Sequence, residues 1–144
     1  MNKYYIAYGS NLNLSQMAIR CPTAKVVGSG YINDYQLIFC GVATIIPNKN
    51  ARVPIAVWEI DRICERSLDR YEGFPYLYRK EYLDVEINGK LISAMVYVMN
   101  RSVPKLPMQE YFNTIKTGYL DVGLSDSYLY EALEKTEELI GIST

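Results

Sequence analysis

Two short stretches carry side chains and backbone geometry suited to chemistry. The first is Tyr8-Gly9-Ser10-Asn11-Leu12. A glycine and small polar residues stand where an apolar run ends and a helical pattern begins. A turn there can aim successive backbone N–H groups at one point, an arrangement that holds a carboxylate or an oxyanion. Gly9 permits a close approach that a side chain would block. The same residues also suit an ordinary strand-to-helix turn, with Asn11 at positive φ. The second stretch is Asp69-Arg70-Tyr71-Glu72-Gly73-Phe74-Pro75. Glu72 falls at the end of a helical pattern, where the helix dipole disfavours a carboxylate. Tyr71, Phe74 and Tyr76 would add desolvation, which raises the pKa in the same direction. A carboxyl tuned this way suits proton transfer near neutrality. The plain alternative is a solvated carboxylate at a frayed helix end, or a partner for Arg79 or Lys80. A third set, Pro107, Tyr111, Ile115, Gly118, Gly123 and Leu124, reads as helix packing. Tyr111 and Ile115 share one face, and Gly118 is a candidate C-terminal stop.

The chain has no histidine. That removes Ser-His-Asp and Cys-His catalysis and histidine-ligated metal sites. Proton transfer would then fall to a carboxylate or another tuned group. Ser10 as nucleophile would lack its usual base. Cys21, Cys40 and Cys64 are widely spaced with no CxxC, so they read as small buried hydrophobes rather than as a zinc or redox pair. No metal and no cofactor is expected. Fourteen tyrosines imply many phenols at the surface or around a cavity, since a buried hydroxyl needs a partner. Fifteen basic against sixteen acidic residues give no bulk attraction for nucleic acid or an anionic membrane. No apolar run is long enough to span a bilayer, and no leader pattern opens the chain. The cytoplasm is the expected compartment.

The elements that must position these residues follow from periodicity and punctuation. Tyr4–Tyr8 reads as a strand, and Leu14, Met17, Ala18 and Cys21 as a helix capped by Asn13. Ala24–Val27, Tyr31–Phe39, Val42–Ile46 and Val53–Ile60 read as four strands, with Pro54 suggesting an edge or a late start. Asp61 caps a helix through Tyr71 with Ile63, Ser67, Leu68 and Tyr71 on its inner stripe. Tyr78–Ile87 and Leu91–Met99 form a hairpin around Asn88-Gly89. Pro107 opens a helix bearing Met108, Tyr111, Phe112 and Ile115. Ser125 or Asp126 caps the last one, with Leu129, Ala132, Leu133 and Ile140 inward. Residues 1–144 form one domain of class α+β, with a mixed or antiparallel sheet closed toward a small barrel.

In order along the chain, Tyr5-Ile6-Ala7-Tyr8-Gly9-Ser10-Asn11-Leu12, Gly41-Val42-Ala43-Thr44-Ile45-Ile46-Pro47, Leu68-Asp69-Arg70-Tyr71-Glu72-Gly73, Tyr97-Val98-Met99-Asn100 and the Pro107-to-Leu124 pattern resemble the γ-glutamylcyclotransferase family, including its AIG2-like and butirosin-pathway branches. The resemblance implies a barrel of about five to seven strands flanked by helices, with a cavity at one end. It implies release of 5-oxoproline from a γ-glutamyl amine or amino acid. Glu72 takes the family's acid/base position. Tyr8, Gly9, Ser10, Asn11 and Leu12 take the substrate-cradling turn, with Tyr5 on its approach. Tyr111 matches a substrate-contacting tyrosine, as does Tyr78, with Tyr76 competing. Tyr119 and Pro54-Ile55-Ala56 depart from the family pattern and would reshape the pocket.

The implied chemistry suits this inventory. The substrate's own α-amine attacks its γ-carbonyl, so no enzyme nucleophile, metal or cofactor is required. One carboxylate can act as base and then as acid. The expected partner is a small γ-glutamyl molecule, and the expected state is a monomer or homodimer. The alternative is a non-catalytic small-molecule binder on the same fold.

Overall fold

Local signals set most element boundaries in the structure, a computed structural model that describes residues 2–143. The order is β1 (Lys3–Ala7), a 3₁₀ turn (Ser10–Leu12), α1 (Leu14–Arg20), β2 (Lys25–Cys40), β3 (Val42–Ile60), α2 (Arg62–Glu72), β4 (Tyr78–Ile87), β5 (Lys90–Met99), α3 (Gln109–Asp121) and α4 (Ser127–Ser143). Asn13 caps α1 by accepting from the Gln16 N–H, and Asp61 caps α2 by accepting from the Cys64 N–H. Each satisfies an amide that the first helical turn leaves without a partner. Gly73 ends α2 in the left-handed conformation, φ 66°, which costs little without a Cβ. Asn88 and Gly89 both take positive φ in the β4–β5 turn, as a tight hairpin requires.

The five strands form one mixed sheet in the order β2-β3-β1-β5-β4. β1 runs antiparallel to β3 and parallel to β5. The outer strands β2 and β4 approach each other. The Cβ that Gly28 lacks would lie 2.8 Å from the Ile87 side chain, and Gly30 meets the same residue at 3.0 Å. The Asn88 amide donates to the Val27 carbonyl across the gap. The sheet therefore curls toward a barrel, its two edges meeting through side chains against glycine backbone. The fold is α+β, with α3 and α4 covering the sheet through Phe112, Ile115, Tyr119, Leu129 and Ala132, all buried.

Several boundaries differ from the periodicity reading. The four strands expected between Ala24 and Ile60 are two long ones, paired around a tight turn at Gly41. Positive φ at Asp34 and Asn50 and a register shift at Asn33/Tyr35 absorb the polar segment between them. Pro54 lies inside β3, not at its start. The β1 ladder stops at the pair Ala7–Ala56, so β3 has a partner on only one side at Pro54, and the missing N–H costs nothing. In α2 the inner positions are Cys64 and Leu68, while Ile63 is 76% exposed. Met108 is also exposed and precedes α3 as its N-cap. Gly118 does not end α3. The helix runs to Asp121, and Gly123 at φ 74° turns the chain.

Cys21 and Cys64 are buried but are not merely small hydrophobes. They form a disulfide between the end of α1 and the first turn of α2, with Cα atoms 4.9 Å apart. Nothing in their 43-residue spacing announces it, because only the packing of α1 on α2 brings them together. A loop of this length is worth up to about 4 kcal/mol in the chain-entropy account. Reductant is expected to lower the denaturant midpoint by a corresponding amount. Equal midpoints with and without reductant would show that the bond does not contribute.

Candidate active site

β1 delivers the chain to the turn at the end of the curled sheet. Past Ala7, Tyr8 and Gly9 lead into the 3₁₀ turn, where the Leu12 N–H donates to the Gly9 carbonyl and the Asn13 N–H to the Ser10 carbonyl. These two amides are thereby used. Those of Ser10 and Asn11 open the turn, where intrahelical acceptors are lacking. Ser10 and Asn11 are buried polar residues, so the turn presents polarity inside the fold. A Cβ on Gly9 would stand 3.3 Å from the Ala43 Cβ and 3.5 Å from the Tyr111 hydroxyl. Close approach, and not a positive φ, is what requires glycine there. Asn11 does not take positive φ either.

The turn forms one wall of a cavity lined by Tyr5, Tyr8, Gly9, Ser10, Asn11, Glu72, Tyr78 and Tyr111 together with Ile6, Ala43 and Tyr97. The cavity is narrow and partly open to solvent. Leu12 is fully buried beneath the turn and lies outside the lining. Of the two competing tyrosines, Tyr78 reaches the cavity, whereas Tyr76 is 91% exposed and contributes no desolvation there. Tyr119 and Pro54-Ile55-Ala56 are absent from the lining. Tyr119 is buried and the Ile55–Ala56 segment is paired with β2, so neither departure reshapes this pocket.

Glu72 is the last residue of α2, and Gly73 turns the chain away behind it. Arg79 pairs with Glu81, and Lys80 with Glu65 and Asp69, so neither neutralises Glu72. Loss of hydration pushes the Glu72 carboxyl up to about 7, against an opposing pull from the Arg20 cation. Its charge acts on Tyr5, Tyr8, Tyr78 and Tyr111, whose phenols burial holds well above their usual range. These phenols stay neutral hydrogen-bonding groups. The Tyr8 hydroxyl donates to the Tyr97 carbonyl and that of Tyr78 to the Ala43 carbonyl, each at 2.7 Å. Tyr5 instead accepts from the Asn11 amide, and Tyr111 from the Ala43 N–H, both at 2.9 Å. Each of these two therefore keeps a hydroxyl hydrogen to give.

The residues matched by the family model for gamma-glutamyl cyclotransferase, AIG2-like, are 5–117. The chain belongs to this family. The gamma-glutamylcyclotransferases of Mus musculus and Homo sapiens are each 28% identical to it, over 86% of this chain and 73% of theirs. A solved gamma-glutamyl cyclotransferase superposes with a TM-score of 0.82 at 25% identity, covering 96% of this chain and 86% of its own. This member of a family of cyclotransferase enzymes has no helix among the described residues that is long and apolar enough to cross a membrane. Nor does any group of three or more potential metal ligands occur among them.

In this gamma-glutamyl cyclotransferase-like chain, Tyr97, Ala43 and Arg20 were not legible as site residues. Tyr97 sits mid-strand in an apolar run, where a tyrosine reads as core. Arg20 ends α1, where a basic residue reads as a complement to the helix dipole. Its one early signal is that a guanidinium so close to the Ser10-Asn11 turn could reach back along α1.

The Glu72 environment also predicts a pH effect on folding. A carboxyl near 4.5 when unfolded and about 7 when folded binds its proton more tightly in the fold. Its contribution is fully present below about 4.5 and is lost as pH rises through about 7. Between these limits Glu72→Gln is expected to flatten a stability decline on the order of 1–3 kcal/mol. Matching pH–stability curves for the variant and the parent would contradict the raised carboxyl.

Proposed function

We propose that the chain releases 5-oxoproline from a γ-glutamyl amine or amino acid, with Glu72 as the proton shuttle. The observation that supports this best is one partly buried carboxyl, poised near neutrality, beside a polar turn and two phenols with hydrogens to donate. In this reading the substrate lies in the cavity with its γ-carbonyl against the donors. Ionised Glu72 takes a proton from the α-ammonium, and the freed amine attacks the γ-carbonyl carbon. The new C–N bond closes a five-membered ring, and the negative charge moves to the carbonyl oxygen. The amides of Ser10 and Asn11 and the hydroxyls of Tyr5 and Tyr111 are the donors suited to that oxygen or to the substrate carboxylate. Protonated Glu72 gives its proton to the leaving nitrogen as the old C–N bond breaks and the carbonyl re-forms, and the carboxylate then takes the excess proton from the new ring nitrogen and passes it to the released amine. Because the nucleophile is tethered within the substrate, ring closure needs no second molecule, and what the protein has to supply is proton transfer and stabilisation of the developing charge.

The carboxyl's position is matched to this double role. A group near 7 is ionised often enough to act as base and holds a proton long enough to act as acid. The test is a panel of γ-glutamyl amino acids, γ-glutamyl polyamines and glutathione, followed by detection of 5-oxoproline. Turnover of at least one class is the expected result. Tight binding without product across the panel would instead support a non-catalytic binder.

A further inference from the structure

Arg20 makes more contacts at the cavity wall than a helix-terminal cation needs. It is half-buried, and its Nη1 donates to the Asn11 Oδ1 at 2.6 Å. Its Nη2 donates to the Gln16 Oε1 at 2.8 Å. Its guanidinium carbon stacks 3.5 Å from the centre of the Tyr71 ring. The contacts with Asn11 and Tyr71 lead to the cavity lining. With Asn11 Oδ1 accepting from Arg20, the Asn11 amide nitrogen is turned toward Tyr5, which accepts from it at 2.9 Å. The Tyr71 hydroxyl is in turn hydrogen-bonded to Ser10 Oγ at 2.9 Å. Adjacent Cys21 is bonded to Cys64 of α2, so the arginine sits at the covalent junction of α1 with the helix that carries Glu72.

We propose that Arg20 is a positioning residue of the cavity, one planar cation that fastens both sides of the substrate-facing turn and whose positive charge acts on Glu72. This rests on the functional reading given above. Only a guanidinium can do both, because its fork donates in one plane while its face stacks on a ring. The groups around Glu72 are Tyr5 of β1, Tyr8 just beyond it, Arg20 of α1, Tyr71 of its own helix, Tyr78 of β4, Tyr97 of β5 and Tyr111 of α3. All but Arg20 are phenols, so Arg20 supplies the positive charge that opposes desolvation of the carboxyl. Arg20 thus favours the ionised form of Glu72 while it sets the geometry of the donors.

Two substitutions separate the functions. Arg20→Lys keeps the charge and loses the planar fork, whereas Arg20→Gln loses the charge. The Glu72 titration is read by carboxyl-carbon NMR without substrate, with Glu72→Gln identifying the resonance, and kcat and KM are measured across pH. Arg20→Lys is expected to titrate close to the parent and to lose about 10-fold in kcat/KM through misplacement of the turn. Arg20→Gln is expected to titrate at higher pH, and the acid limb of its rate profile is expected to move the same way. An unmoved Glu72 titration in folded Arg20→Gln, or parental kinetics in both variants, would overturn the proposal. If the parent releases no 5-oxoproline from any substrate, the functional reading fails, while the titration still decides whether Arg20 acts on Glu72. Thermal melts of both variants report whether the fold is retained, and Arg20→Lys preserves the charge needed at the junction.

Discussion

Glu72→Gln is expected to lower turnover by at least ~10²-fold while leaving substrate binding much less affected. The estimate is the lower end of what a positioned acid or base contributes. Gln matches Glu in size and hydrogen-bonding reach but carries no exchangeable acid proton. The turn at Gly9–Asn11 and the phenols of Tyr5 and Tyr111 remain in place, so a ligand still has its donors. The fold should tolerate the change, because Glu72 has no ion pair within 4 Å among the described residues and its charge is disfavoured by desolvation. Initial 5-oxoproline rates, a binding isotherm and a thermal melt form the set of measurements. A folded variant with near-parental turnover would remove Glu72 as the shuttle. Glu81 could not replace it, since it is paired to Arg79 on β4 and lies outside the cavity lining.

Gly118→Ala should be among the most damaging single-methyl changes in the chain. A Cβ there would stand 2.7 Å from the Asn13 nitrogen and the Leu12 carbonyl carbon, and 2.8 Å from the Leu12 Cβ. Two of these are backbone atoms, which cannot swing aside as a side-chain tip can. The helix gains about 1 kcal/mol in propensity when glycine becomes alanine. Overpacking against fixed backbone costs about 1–3 kcal/mol or more, so the clash wins. The loss extends to function because the displaced atoms continue directly into Ser10–Asn11. The same seam is held by Asn13 donating to the Thr114 carbonyl and by the Leu14 N–H donating to Asp121, so α3 has little freedom to retreat. Denaturant unfolding should show a net loss of about 1–2 kcal/mol, with reduced kcat/KM. Equal or greater stability than the parent would mean that the seam opens readily.

These two residues show different relations between sequence and structure. Glu72 was legible from its neighbours, since Asp61, the intervening periodicity and Gly73 bound a helix and put a carboxyl at its end. Gly118 was misread as a stop because a glycine late in a helical pattern has that local meaning. Its real partner, the Leu12–Asn13 backbone, lies about a hundred residues away in the chain. The Asn13 and Asp61 caps, the Asn88-Gly89 hairpin and the Gly73 terminus were all readable because their hydrogen bonds close within four residues. The α+β class followed from the same local elements and their order.

The remaining features depend on contacts distant in sequence. Tyr78 lines the cavity and Tyr76 does not, although the two are separated by one residue, because strand alternation starts at Tyr78 and the preceding turn is solvated. The Cys21–Cys64 bond comes from the packing of α1 on α2, and the Tyr8 and Tyr78 hydroxyls find their carbonyl partners only where the fold brings distant strands together. The Glu72 carboxyl at about 7 depends on the fold in the same way. Local signals alone put a carboxyl at the end of α2 near aromatic residues. How far that carboxyl is desolvated, and that Arg20 opposes it, depended on which surfaces the fold removes from water, a quantity that is set by packing and has no local code.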